Sequence, residues 1–366
     1  MNTFGETFRL TDYGESHGKA IGGVIDGVPP RFRLDMDRIR LWMARRRPGC
    51  SRLASQREEP DEVDFLSGIT EGNITLGTPI GFIIRNRDAR KSDYGNLEHV
   101  FRPNHADYTY MCRYGIREWR GGGRSSARET ACRMVGGAVA LQFLHSRGIE
   151  IRAFLSRAGS AAMPDPYANF PSEDKIYSSD IYCPDPDASS AMRDIIEGCR
   201  GKDSVGGIVS CIIRGVPAGF GNPVFGKTEA RLGAAMLGIN AARGVEFGAG
   251  FAGSEDYGSQ ALDIFDRANH TPEGLRLHCP TNNCGGIQGG ITNGDDITLS
   301  VAFKPTPTLP VPVETMNDKG EKTVLQPKGR HDPCVALRAV PVVTAMAAIT
   351  VLDIMLSQPA ADWSNL

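Results

Sequence analysis

The nine cysteines show no C-x-x-C pair and no Cys/His spacing that would hold a metal. An odd number of them in a long chain reads as reduced thiols in a cytoplasmic protein, with no metal site and no disulfide framework. Aromatics make up only 7% of residues and the formal net charge is -2. Both argue against a nucleic-acid binder, which needs a basic stripe with interleaved aromatics. The first ten residues lack the apolar segment of a secretory signal. The most apolar stretch, residues 340–356, is interrupted by Pro341 and Asp353 and is short for a bilayer. It reads as a buried core helix, with no membrane partner. No G-x-G-x-x-G, Walker loop, heptad or internal repeat is present, which removes the common dinucleotide-binding and solenoid folds.

What is present is an ordinary globular balance of 40% apolar and 23% charged residues over 366 positions. The 43 glycines and 23 prolines imply many tight turns rather than a helical bundle. Strand-like and helix-like runs alternate without a parallel βαβ fingerprint, and the length allows one large domain or two.

Residues 117–129, Arg-Glu-Trp-Arg-Gly-Gly-Gly-Arg-Ser-Ser-Ala-Arg-Glu, are the stretch on which the reading turns. Three consecutive glycines let the backbone approach a ligand closely. Ser126 and Glu129 have capping-box spacing before a long apolar run, predicting a loop, a helix N-terminus and a buried helix. Arg117, Arg120, Arg124 and Arg128 crowd one turn, which is unfavourable unless something negative sits among them or solvent separates them. An anionic ligand and a solvated basic rim remain equal readings of this pattern.

Before it, residues 7–11 read as a strand leading to Gly14-Glu15-Ser16-His17-Gly18. Ser16 and His17 do not make a nucleophile–base pair on this reading, because neighbours in extended backbone point opposite ways. Residues 35–47 have helical spacing with Arg45, Arg46 and Arg47 in the last turn, and Arg52 and Arg57 follow. So many arginines suit a polyanion or a solvated helix end. Residues 63–69 and 79–86 read as a hairpin. His105 stands at the start of a helix after Phe101-Arg102-Pro103-Asn104, suiting either an exposed histidine or a general acid for a phosphate leaving group.

Further along, residues 148–159, 207–216, 245–251 and 297–303 read as strands, 164–186 as a polar loop, and 191–199 and 227–239 as helices. Residues 282–290, with two Gly-Gly pairs, read as a loop able to lie flat against a planar ring.

Taken in order, these segments resemble the chorismate synthase family. The matches are Gly14 to Gly18 with Asp26-Gly27-Val28-Pro29-Pro30, the arginines before Pro48-Gly49, Arg102 to Asp107, Gly121 to Glu129, Asn282 to Gly290, Lys304 to Thr306, and Gly329 to Cys334. They cover nearly the whole chain. The resemblance implies an α+β fold, a β-α-β sandwich in a single large domain over residues 1–366, with a homotetramer and reduced FMN as cofactor. It implies conversion of 5-enolpyruvylshikimate 3-phosphate into chorismate and phosphate by 1,4-elimination.

By the same resemblance Arg46, Arg52, Arg102, Arg128 and Arg330 form a guanidinium cage for the substrate's carboxylates and phosphate. FMN is held by Arg124, Ser125, Ser126, Asn240, Ala241, Gly289, Lys304, Pro305, Thr306, Pro307, Thr308 and Arg330. His105 protonates the departing phosphate, His17 stabilises the anionic reduced flavin, and Ser16 and Asp332 relay a proton. The source of reducing electrons stays open between NADPH at this chain and a separate flavin reductase. One departure is Thr344, where the family usually carries a glutamate. A binding module without chemistry and a true oxidoreductase on an anionic substrate are the rival readings.

Overall fold

The computed structural model describes residues 1–47, 53, 59–87, 97–271, 274–326 and 332–357. The chain opens with β1 (Thr3–Phe4), β2 (Arg9–Tyr13) and β3 (Ala20–Asp26), then helix α1 (Met36–Arg46). The Asp35 carboxylate caps α1 by accepting the N–H groups of Asp37 and Arg38 at 2.9 and 3.1 Å. After α1 come β4 (Val63–Phe65) and β5 (Ile80–Arg85), which pair as the hairpin the sequence predicts. The first sheet is antiparallel in the order β1-β2-β3-β5-β4.

Next are α2 (Asp107–Tyr114), α3 (Thr130–His145), β6 (Glu150–Ala158), β7 (Ala161–Ala162), α4 (Glu173–Tyr177) and α5 (Pro186–Cys199). Then come β8 (Gly207–Arg214), α6 (Thr228–Leu237), β9 (Ala242–Phe247), and the hairpin of β10 (Arg267–Thr271) and β11 (Gly274–His278). The chain closes with β12 (Ile287–Gln288), β13 (Ile291–Thr292), β14 (Ile297–Phe303), β15 (Val313–Met316), β16 (Lys322–Leu325) and α7 (Ala336–Ser357). The second sheet, also antiparallel, runs β7-β6-β8-β14-β9.

Several elements differ from the sequence reading, among them α4, which lies in the stretch read as a polar loop. α5 begins at Pro186, not 191, because Asp185 caps it by accepting Ala188 N–H at 2.8 Å and Pro186 fits the first helical turn. β9 ends at Phe247, where Gly248 turns the chain with φ +53°. Residues 282–290 do not form one flat loop. Gly285 and Gly286 pack on the backbone of Gly248 and Asp296, while Gly289 and Gly290 make the turn between β12 and β13.

The helices lie between the sheets. α3 touches β2 and β3 on one side and β6 on the other, and α7 packs along α3, β6 and β8. A continuous apolar core runs from Phe8, Ile21 and Phe82 through Met134 and Val135 to Phe154, Val209 and Leu299. This is the β-α-β sandwich expected from the resemblance. α3 and α7 approach closely at Gly137, where a Cβ would stand 2.3 Å from that of Ala345.

α7 is a core helix, buried along nearly its whole length. Its one carboxylate, Asp353, accepts the N–H groups of Glu6, Thr7 and Phe8 at 2.9, 2.7 and 2.8 Å. It also pairs with Arg231. The apparent flaw in the apolar run therefore anchors the N-terminal strands. Thr344 is fully buried and donates to the Val340 carbonyl at 3.3 Å, a place where an unpaired glutamate would be costly.

Candidate active site

The turn between β2 and β3 carries Ser16 and His17. Gly18 N–H donates to the Glu15 carbonyl at 3.0 Å, so the backbone is a tight turn rather than extended. The turn brings the two side chains together, with Ser16 Oγ 3.1 Å from His17 Nδ1 and 3.2 Å from the Gly121 carbonyl. This corrects the expectation that adjacent residues point apart. Gly121 itself has φ +62°, and a Cβ there would lie 2.4 Å from His17 Nδ1. Only glycine admits the histidine at this distance.

Gly121, Gly122 and Gly123 all take positive φ, then two short 3₁₀ turns, Gly123–Ser125 and Ala127–Glu129, lead into α3. Ser126 Oγ accepts the Arg128 N–H at 3.4 Å, whereas Glu129 grips Arg133 at 2.9 Å instead of closing a capping box. Burial pushes the Glu129 carboxyl above its ordinary range, against the pull of Arg133.

The crowded arginines each hold an internal carboxylate. Arg117 lies 3.1 Å from Asp107, Arg120 2.6 Å from Glu118 and Arg124 2.6 Å from Asp12, and Arg128 pairs with Asp61. The like-charge problem posed by the sequence is thus met within the chain. Asp12, Asp61, Asp107 and Glu118 are the residues that sequence reasoning missed as partners. Asp61 lies 67 residues from its arginine and left no local signal.

Arg102 forks onto Asp107 with two hydrogen bonds of 2.8 Å, and its backbone N–H adds a third at 3.0 Å. Burial alone would raise the Asp107 carboxyl, but Arg102 and Arg117 outweigh it and hold the group below its ordinary value. Arg128 donates Nε to Asn86 at 3.0 Å and Nη1 to Asp61, while its buried Nη2 has no hydrogen-bond partner among the described residues. Arg46 is fully buried and donates to Thr130, Asp61 and the Ala127 carbonyl at 3.0, 3.3 and 2.5 Å. Burial, then the nearby Arg338, pull its pKa down to about 10, so it stays cationic at neutral pH. Arg52 and Arg330 lie outside the described residues.

From the turn between α6 and β9, Asn240 donates Nδ2 to the Ser125 carbonyl at 3.2 Å. Its buried Oδ1 has no hydrogen-bond partner among the described residues. Ala241 takes φ +69° and its carbonyl accepts the Lys304 N–H at 3.0 Å. Lys304 Nζ donates to the Asn104 carbonyl at 2.9 Å, and burial, then Arg243, lower its pKa. His105 precedes α2 rather than opening it, its N–H donating to the Arg102 carbonyl at 3.3 Å. Its Nε2 lies 2.5 Å from Thr308 Oγ1.

Pro305 and Pro307 stiffen the strap that carries Thr306 and Thr308. Thr306 Oγ1 donates to the Asp332 carbonyl at 3.0 Å, and the Asp332 side chain pairs with Arg338 at 3.0 Å. Contacts therefore run in series from His17 through the glycines to Arg102, His105, Thr308 and Lys304, and back through Ala241 and Asn240 to Ser125. Gly289 is apart from this series, its hairpin leaning on residues 220–228.

Two buried atoms, Asn240 Oδ1 as an acceptor and Arg128 Nη2 as a donor, lack hydrogen-bond partners among the described residues, which suits a bound polar group such as a flavin.

The sequence profile described as chorismate synthase matches residues 8–356. The chain belongs to the chorismate synthase family. Chorismate synthase of Porphyromonas gingivalis is 52% identical over 358 residues, covering 98% of this chain and 96% of that protein. That of Phocaeicola vulgatus is 49% identical over 354 residues, covering 96% and 97%. A crystal structure of chorismate synthase superimposes with a TM-score of 0.75 at 28% identity, covering 98% of this chain and 94% of that one. The chain is a carbon–oxygen lyase of the shikimate pathway, eliminating phosphate from 5-enolpyruvylshikimate 3-phosphate to give chorismate. Membership implies reduced FMN as cofactor.

Proposed function

We propose that Arg102 and Arg128, with Arg52 and Arg330, bind the substrate's carboxylates and phosphate, and that Arg46 backs them as the buried cation behind Asp61 and Arg128. The observation that carries this reading is the junction of the two histidines with the glycine loop. His17 lies against Gly121, and His105 is tied to Arg102 and Thr308.

FMN would be held by Arg124, Ser125, Ser126, Asn240, Ala241, Lys304 with Pro305 to Thr308, and Arg330, whereas Gly289, expected from the resemblance, lies apart from them. When bound, reduced FMN would supply electron density for breaking the C–O bond to phosphate and a site for the proton released from the C–H bond. His105 Nε2 gives its proton to the departing phosphate oxygen, leaving Thr308 Oγ1 as its resting partner. His17, held by Ser16, places positive charge beside the reduced cofactor. Ser16 and Asp332 carry the released proton onward.

NADPH at this chain or a separate flavin reductase provides the electrons. The protein works in the cytoplasm as a homotetramer, each chain one catalytic domain over residues 1–366.

Phosphate release under anaerobic conditions with dithionite-reduced FMN tests the assignments. The His105→Ala variant is expected to lose about 100-fold in kcat with little change in KM. An unchanged kcat would remove His105 as the acid. Repeating the assay with FMN and NADPH alone separates the two electron sources, and sedimentation gives the number of chains.

A further inference from the structure

Asn86 is the residue just past β5, and β3 and β5 pair with Ala20 opposite Arg85. That register sets Asn86 beside the turn that precedes β3. Its backbone N–H donates to the Lys19 carbonyl at 3.2 Å. Its side-chain Nδ2 donates to the carbonyls of Glu15 and Gly18 at 3.1 and 2.9 Å. Those two carbonyls bracket Ser16 and His17.

The other end of the amide, Oδ1, accepts Arg128 Nε at 3.0 Å. The partners fix the orientation, because a flipped amide would aim its oxygen at two carbonyls and its NH₂ at a guanidinium. Asp61 already holds Arg128 by Nη1. With Nε held as well, the guanidinium plane is set by two groups at once.

We propose that Asn86 is a positioning residue for the elimination, clasping the His17 turn to Arg128 so that the bound anion and the histidine keep one relation. The inference rests on the roles proposed above for His17 and Arg128. Without the clasp, the turn and the arginine lose their shared anchor. Misplacement by about 1 Å is enough to cost on the order of 100-fold in rate.

Two substitutions separate the two ends of the amide. Asn86→Asp keeps an acceptor for Arg128 Nε but turns an oxygen toward the Glu15 and Gly18 carbonyls. It is expected to lower kcat about 100-fold while KM for 5-enolpyruvylshikimate 3-phosphate stays within about 3-fold. Asn86→Ala loses both ends, so kcat falls and KM rises about 10-fold. In both variants the His17 ring titration, followed by NMR on cofactor-free protein, moves its midpoint. A merely structural role would shift the unfolding temperature and leave the split and the titration as in wild type.

His17→Ala is measured alongside. If it loses turnover while Asn86→Asp keeps wild-type kcat and an unmoved His17 titration, the clasp is overturned and the reading of His17 stands. If His17→Ala keeps wild-type turnover, the reading of His17 falls and the clasp with it.

Discussion

Ser16 Oγ lies 3.1 Å from His17 Nδ1 although the two residues are neighbours in the chain. A hydroxyl has one proton, and the Gly121 carbonyl at 3.2 Å takes it. Ser16 therefore accepts from Nδ1–H, and Nδ1 is the protonated nitrogen of His17.

Gly121→Ala tests that arrangement. Its methyl group would stand 2.3 Å from His17 Cε1 at a backbone φ of +62°. The left-handed backbone costs about 1 kcal/mol in stability. Displacing the ring is expected to cost about 100-fold in kcat. Thermal unfolding and phosphate release, measured on the same preparation, give the two numbers.

Asp61→Ala removes the carboxylate between two buried guanidiniums. Arg46 and Arg128 have side chains only 1% and 3% exposed, so neither charge is left in water. The expected loss is about 3–5 kcal/mol of stability, read from urea denaturation. A loss below about 1 kcal/mol would mean that the residues behind them already neutralise the pair.

Asp353→Asn keeps the shape of the carboxylate but removes the charge that Arg231 and three backbone N–H groups share. The first two strands should loosen before the rest of the molecule. Hydrogen exchange at residues 6–8 is expected to speed up about 100-fold, matching a local loss of about 3 kcal/mol.

Asp107 gives a pH dependence. Arg102 and Arg117 hold its carboxyl below the ordinary 3.8 despite burial. The native state thus binds this proton less tightly than the unfolded chain. The group's stabilising contribution is complete above the unfolded value and is lost as pH falls through the folded one. The stability difference between wild type and Asp107→Asn should be flat above about pH 5 and shrink below about pH 4. A difference that grew on acidification would reverse the sign assigned to Asp107.

Local chemistry determined the parts of this protein that could be read from its chain. The helix α1, the three-glycine loop, the hairpin of β4 and β5 and the burial of α7 follow from residue type and spacing within a few turns. The order of the motifs was enough to point to the family. Which carboxylate neutralises which arginine was decided only by the tertiary structure. Asp12 reaches Arg124 across 112 residues and Asp61 reaches Arg128 across 67. Asn86 meets Arg128 and the His17 turn only because β3 and β5 pair in one register. Side-chain pairs of this kind depend on where strands and helices stack. A buried charge fixes its partner only once the fold has removed the water that would otherwise serve.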